Sequence, residues 1–168
     1  MKIIVFVGRL DEDTGIMEYL EAFRLLSGYK LTICGDGVLR GKAEAFVKKY
    51  KLNAEFAGAV AEPEKYLANA RYVFASGYLS ALEAMAGRKL VFAIYNNPLK
   101  KDYWQMTPFA KWIVVADNPR ELYKKILHYE KHPKEEKALT DNAYAWAKEQ
   151  SWERLADLYY QIYTTIVV

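Results

Sequence analysis

The pair Gly8-Arg9, the turn "SGYLS" at 76–80 and a lone carboxylate, Glu83, set among alanine, leucine and methionine are the residues of this chain best equipped for chemistry. Both Gly8-Arg9 and the turn follow apolar, β-branched or aromatic runs, so each sits where a strand ends. A helix opening on Ser76, Gly77 and Tyr78 offers free backbone N–H groups, because a first helical turn has no internal acceptors for them, and such groups hold phosphate well. Gly77 lets the backbone approach a ligand closely; Leu79 and Ser80 complete the turn. Arg9 adds a permanent charge suited to a diphosphate. Glu83, one to two turns further on, can accept hydrogen bonds from the hydroxyls of a ribose. Together these groups fit a nucleoside diphosphate. Each also has a plainer reading: a turn glycine, a solvated arginine, the wet face of a helix.

Other patterns carry less chemistry. "GDGVLRG" from Gly35 lacks the G-x-G-x-x-G spacing and follows the second strand rather than the first, so it reads as a turn. His128 and His132 stand four apart on one helix, a spacing that metals use, but no acid or cysteine in the pattern completes a site. They read as an exposed face, and no metal is expected. Cys34, inside a strand, reads as core. No Ser/His/Asp or Cys/His constellation assembles, which leaves the catalytic residue unassigned.

These groups must be held by a framework. With 168 residues the chain has the size of one domain, and 52% hydrophobic residues allow a substantial core. The formal net charge of +3 is spread along the chain and offers no concentrated basic face for nucleic acid. A single cysteine fits a reducing compartment. No apolar run approaches the roughly 20 residues of a membrane span, and the apolar N-terminal run breaks at Gly8-Arg9 rather than ending in small residues as a leader would. A soluble, cytoplasmic domain is expected. Strands are predicted at 2–7, 29–34, 54–58, 72–75, 90–93 and 112–115, alternating with helices, the last of which (151–163) carries Trp152, Leu155, Leu158, Tyr159 and Ile162 on one stripe. That alternation predicts an α/β fold, a doubly wound parallel sheet. Ligands of such sheets lie beyond the carboxyl ends of the strands where strand order reverses. If the first and fourth strands flank that point, "GRLDEDTG" (8–15) faces "SGYLS" across a crevice.

Taken together, "FVGRLDEDTGIMEYLEAF", "LTICGDGVLR", "EFAGAV", "ASGYLSALEAMAGRKLVFA" and "SWERLADLYYQIY" resemble, in order and spacing, the C-terminal donor-binding domain of retaining nucleotide-sugar glycosyltransferases of the two-Rossmann-domain (GT-B) type, the group 1 glycosyltransferases. The resemblance covers nearly the whole chain. It implies that residues 1–168 are one Rossmann-like half of such an enzyme, with C-terminal helices, binding a nucleoside-diphosphate sugar as donor substrate with neither metal nor other cofactor. It further implies that Arg9 touches the diphosphate, Glu83 holds the ribose, Gly77, Tyr78, Leu79 and Ser80 approach the phosphates, and Gly58 to Val60 lie beside the base.

Three departures accompany the match. The family's lysine before the first-loop glycine is Thr14 here, the first glutamate of its paired-Glu motif has no counterpart (Ser76 stands near that place), and the acceptor-binding domain is absent from this sequence. Lys100, in "NNPLKKDYW", offsets the absent lysine if that loop folds over the crevice; otherwise it is solvated. The leading expectation is a donor-binding half that transfers sugar only when joined to an acceptor-binding domain or subunit. The alternative is a nucleotide-sugar-binding or regulatory module without transfer chemistry, or an interaction domain docking through Trp152, Tyr159, Tyr160 and Tyr163.

Overall fold

Continuous apolar runs hide both faces only when helices cover the sheet on both sides, and this chain is arranged in that way. A computed structural model describes residues 1–166. Strands β1 (Lys2–Val7), β2 (Tyr29–Cys34), β3 (Ala54–Gly58), β4 (Tyr72–Ala75), β5 (Leu90–Ile94) and β6 (Val114–Ala116) pair in parallel in the order β3-β2-β1-β4-β5-β6. The helices are α1 (Ile16–Phe23), α2 (Arg40–Tyr50), α3 (Pro63–Ala68), α4 (Tyr78–Ala86), α5 (Pro98–Gln105), α6 (Pro119–Lys131), α7 (Pro133–Ala147) and α8 (Trp152–Ile166). Strand order reverses between β1 and β4, which makes this a doubly wound, Rossmann-like α/β fold.

The strand period of two divides the core into layers of different bulk. Ile4, Phe6, Tyr72, Phe74, Leu90, Phe92 and Ile94 point to one face, where Ile16, Tyr19 and Leu20 of α1 and Leu122 and Ile126 of α6 cover them. Their neighbours Val5, Val73, Ala75, Val91 and Ala93 point to the other, against Ala81, Ala84 and Met85 of α4, Trp104 of α5 and Ala143 and Ala147 of α7. Small residues on both sides of that second seam let α4 lie close to β4 and β5. The N-terminus of α4 is thereby fixed at the sheet's reversal point.

Two elements differ from the sequence expectation. "NNPLKKDYW" is not a loop: Asn97 caps α5 by accepting from the Lys100 N–H (2.8 Å), and Pro98 takes the first helical position. A 3-10 turn (Ala110–Trp112) occupies the start of the predicted last strand, which begins at Val114. Pro133 ends α6 and also opens α7. Helix α8 is solvent-exposed along its described side chains, with Trp152 77% and Tyr163 70% exposed. No described helix is long and apolar enough to cross a membrane.

Candidate functional site

Two loops meet where β1 and β4 end, and their packing begins with a glycine. Gly8 has φ +151°, and a Cβ placed on it would stand 1.7 Å from the Ser76 Oγ, so only glycine lets the two strand ends come together. Behind them, the fully buried Tyr19 of α1 donates its hydroxyl to the Ala75 carbonyl (2.7 Å) and accepts from the Ile94 N–H (3.1 Å). Burial raises that phenol's pKa, which keeps it a neutral donor. One side chain thus ties the ends of β4 and β5 just before the turn that opens α4. The "GDG" turn braces the other loop: Leu10 N–H donates to the Asp36 carbonyl (2.9 Å), and Val38 N–H to Asp11 Oδ1 (3.2 Å).

Between the loops lies a crevice of about 690 Å³, lined among others by Gly8, Arg9, Asp13, Ser76–80, Glu83, Lys100 and Tyr103. At its centre is the α4 N-terminus. Ser80 closes the first turn on itself, its hydroxyl accepting from Gly77 N–H (3.2 Å) and donating to Gly77 C=O (2.9 Å). The Tyr78 N–H is taken by the Tyr103 hydroxyl at 2.6 Å. The N–H groups of Leu79 and Ser80 belong to the same first turn and have no intrahelical acceptor.

The charges around this turn are mixed. Lys100 donates from Nζ to the Ser76 carbonyl (2.8 Å) and lies over the Tyr103 ring at 4.8 Å, which fixes its ammonium beside the turn. Desolvation lowers its pKa; Asp13 opposes that shift and Arg9 adds to it. Arg9 is not the unopposed cation that the sequence suggests. Its guanidinium pairs with Asp11 at 2.7 Å and Asp13 at 3.3 Å while remaining 70% exposed. Glu83 has no ion-pair partner among the described residues; burial, then Glu64, raises its carboxyl above the ordinary range.

Most of the residues singled out from sequence are brought together here: Gly8, Arg9, Ser76, Gly77, Tyr78, Leu79, Ser80, Glu83 and Lys100 all line the crevice. Gly58 and Val60 do not. Gly58 ends β3, two strands from β1, where its carbonyl accepts from Gly35 N–H (2.7 Å). Thr14 lines the crevice, and its hydroxyl donates to the Asp11 carbonyl at 2.7 Å. Sequence reading missed Asp13 and Tyr103. Reading Asn97-Pro98 as a helix start would have placed Tyr103 one turn beyond Lys100 on the same face.

The sequence model of the family described as "Glycosyl transferases group 1" matches residues 1–146. No curated protein sequence matches the chain significantly. Among solved structures, the catalytic domain of cholesterol-alpha-glucosyltransferase from Helicobacter pylori superposes with a TM-score of 0.72 at 18% identity, covering 89% of this chain and 99% of that one. Sucrose-phosphate synthase from Thermosynechococcus elongatus gives 0.81 at 21% identity, over 99% of this chain and 45% of that one. An Anabaena protein in complex with UDP and glucose gives 0.78 at 15% identity, over 98% of this chain and 48% of that one. The chain therefore spans about half the length of the latter two, and at these identities the likeness concerns the fold.

Proposed function

Because this chain belongs to the group 1 glycosyltransferase family, we propose that its crevice binds the nucleoside diphosphate of a sugar-nucleotide donor. The observation that carries this reading is the α4 N-terminus at the sheet's reversal point, with Lys100 fixed beside it and the Glu83 carboxylate, without an ion-pair partner among the described residues, one to two turns away. The Leu79 and Ser80 N–H groups and the Lys100 ammonium meet the diphosphate oxygens; Glu83 accepts from ribose hydroxyls. No metal or other cofactor is needed to hold the donor in this arrangement. Arg9 joins by exchanging Asp11 and Asp13 for phosphate, and that competition keeps affinity modest.

Sugar transfer needs donor and acceptor in near-attack geometry, and that positioning supplies much of the rate. This domain forms one wall of a cleft. We assign the other wall to an acceptor-binding domain or subunit, and the exposed aromatic side chains of α8 offer apolar surface for it. A second reading, donor binding without transfer, draws support from the sugar-side glutamate of the family motif, which has no counterpart here, Ser76 standing near its place.

Calorimetry of UDP, GDP and ADP at low salt tests the proposal. Hydrogen bonds to charged groups contribute roughly 1.5–3 kcal/mol, so Lys100→Met or Glu83→Ala should weaken binding about tenfold to a hundredfold. Lys100→Met should also flatten the salt dependence, and Glu83→Ala should erode the preference for nucleotide over pyrophosphate. No binding by any nucleotide, or affinity indifferent to both changes, refutes the proposal.

A further inference from the structure

Sequence spacing left His128 and His132 without a third ligand, and the fold supplies one. Pro133 stops α6 and immediately starts α7, and the chain turns back so that Glu135 comes to lie beside His128. His128 Nε2 and Glu135 Oε2 are 2.8 Å apart, and one donor atom from each of His128, His132 and Glu135 lies within 4.8 Å of the others. The imidazoles stack with centroids 4.1 Å apart and planes 20° from parallel.

We propose that His128, His132 and Glu135 bind a divalent transition-metal cation of the zinc type at the α6–α7 corner. Two features favour an ion over a chance cluster. His132 donates Nδ1–H to the His128 carbonyl (2.7 Å), which leaves its Nε2 unprotonated and able to ligate; ligating histidines are oriented by this kind of bond. Two imidazoles and a carboxylate also form a donor set suited to zinc, with water in the fourth position, whereas magnesium and calcium prefer oxygen ligands. Zinc–ligand bonds of about 2.1 Å in a tetrahedron place donor atoms about 3.4 Å apart, so modest side-chain rotations close the site. Lys131 and Lys134 flank the cluster and oppose a cation, which keeps the affinity moderate.

The site lies away from the crevice. Lys2, at the start of β1, pairs with Glu130 beside the corner, and Arg71, just before β4, pairs with Glu136 of α7 at 2.5 Å. The corner therefore adjoins the amino ends of the strands, while the crevice is at their carboxyl ends. An ion here staples the end of α6 to the start of α7 and takes no part in donor chemistry.

The test titrates zinc chloride into the chelator-treated whole chain by calorimetry and follows thermal unfolding with and without zinc. One ion per chain and a raised midpoint are expected, with no shift from magnesium or calcium. Loss of an outer-sphere partner alone costs 10–100-fold, so His128→Ala, His132→Ala and Glu135→Gln should each weaken zinc at least about tenfold. Nucleotide affinity should stay at the wild-type value in all three, which separates failure here from failure of the donor-site proposal. Absence of zinc binding, zinc binding unchanged in the His128→Ala/His132→Ala double variant, or equal stabilisation by magnesium overturns the assignment.

Discussion

Gly8→Ala measures how tightly the crevice floor is built. A Cβ at Gly8 would lie 1.7 Å from the Ser76 Oγ and 2.3 Å from its Cβ, with the backbone at φ +151°. Two costs follow. An L-residue held in that region of backbone space costs about 1–3 kcal/mol. Forcing Ser76 aside in a packed setting costs about 1–3 kcal/mol more. Gly8→Ala should thus destabilise by about 2–6 kcal/mol, a large part of the roughly 5–15 kcal/mol that holds a domain folded. Ser76→Gly removes the atoms in the way and leaves the Ser76 Cα at 3.6 Å, an ordinary contact. In that background the cost should fall to about 1–3 kcal/mol, the backbone part alone. Urea unfolding of the wild type, both single variants and the double variant closes the cycle. Equal costs of Gly8→Ala with and without the Ser76 side chain would refute the claim that this approach is what demands glycine.

Three further outcomes are expected. Tyr19→Phe strips the Ala75 carbonyl and the Ile94 N–H of their shared buried partner and should cost about 1–3 kcal/mol in urea unfolding, with weaker nucleotide binding as the turn loosens. Asp13→Asn removes an acid that competes with phosphate for Arg9 and should tighten UDP binding about threefold to tenfold in low-salt calorimetry, an effect that fades as salt is raised. Because burial and Glu64 raise the Glu83 pKa, its carboxylate is lost at a higher pH than that of an exposed glutamate. UDP affinity should therefore fall as pH drops through that raised value, and the part of the decline absent from Glu83→Gln is the part owed to Glu83.

The fold was legible because the β-branched runs are nearly continuous and the helices between them are marked by Gly28, Pro63 and Asn118-Pro119. The α5 helix escaped because a cluster of Asn, Pro and Lys has loop-like composition, although Asn97-Pro98 carries the same cap and first-turn signal as Asn118-Pro119. Residues of the crevice floor were legible because strand ends and a helix N-terminus impose recognisable types. Pairings across the site were not. Nothing in one sequence tells that Arg9 spends its charge on Asp11 and Asp13, or that Tyr103 reaches back to the Tyr78 N–H; those contacts depend on side-chain directions that only the packed structure sets. The same holds for Glu135, whose place beside His128 comes from the chain reversal at Pro133.

The central claim, a diphosphate seated on the α4 N-terminus, is tested most directly by following the backbone amides of the labelled chain by NMR while UDP is added. The account predicts that the Leu79 and Ser80 N–H signals move furthest and downfield, accompanied by Gly8, Arg9 and Glu83, with the α6–α7 corner unmoved. Saturating UDP that leaves the Leu79 and Ser80 amides in place, or that shifts residues away from the β1–β4 crevice instead, would contradict it.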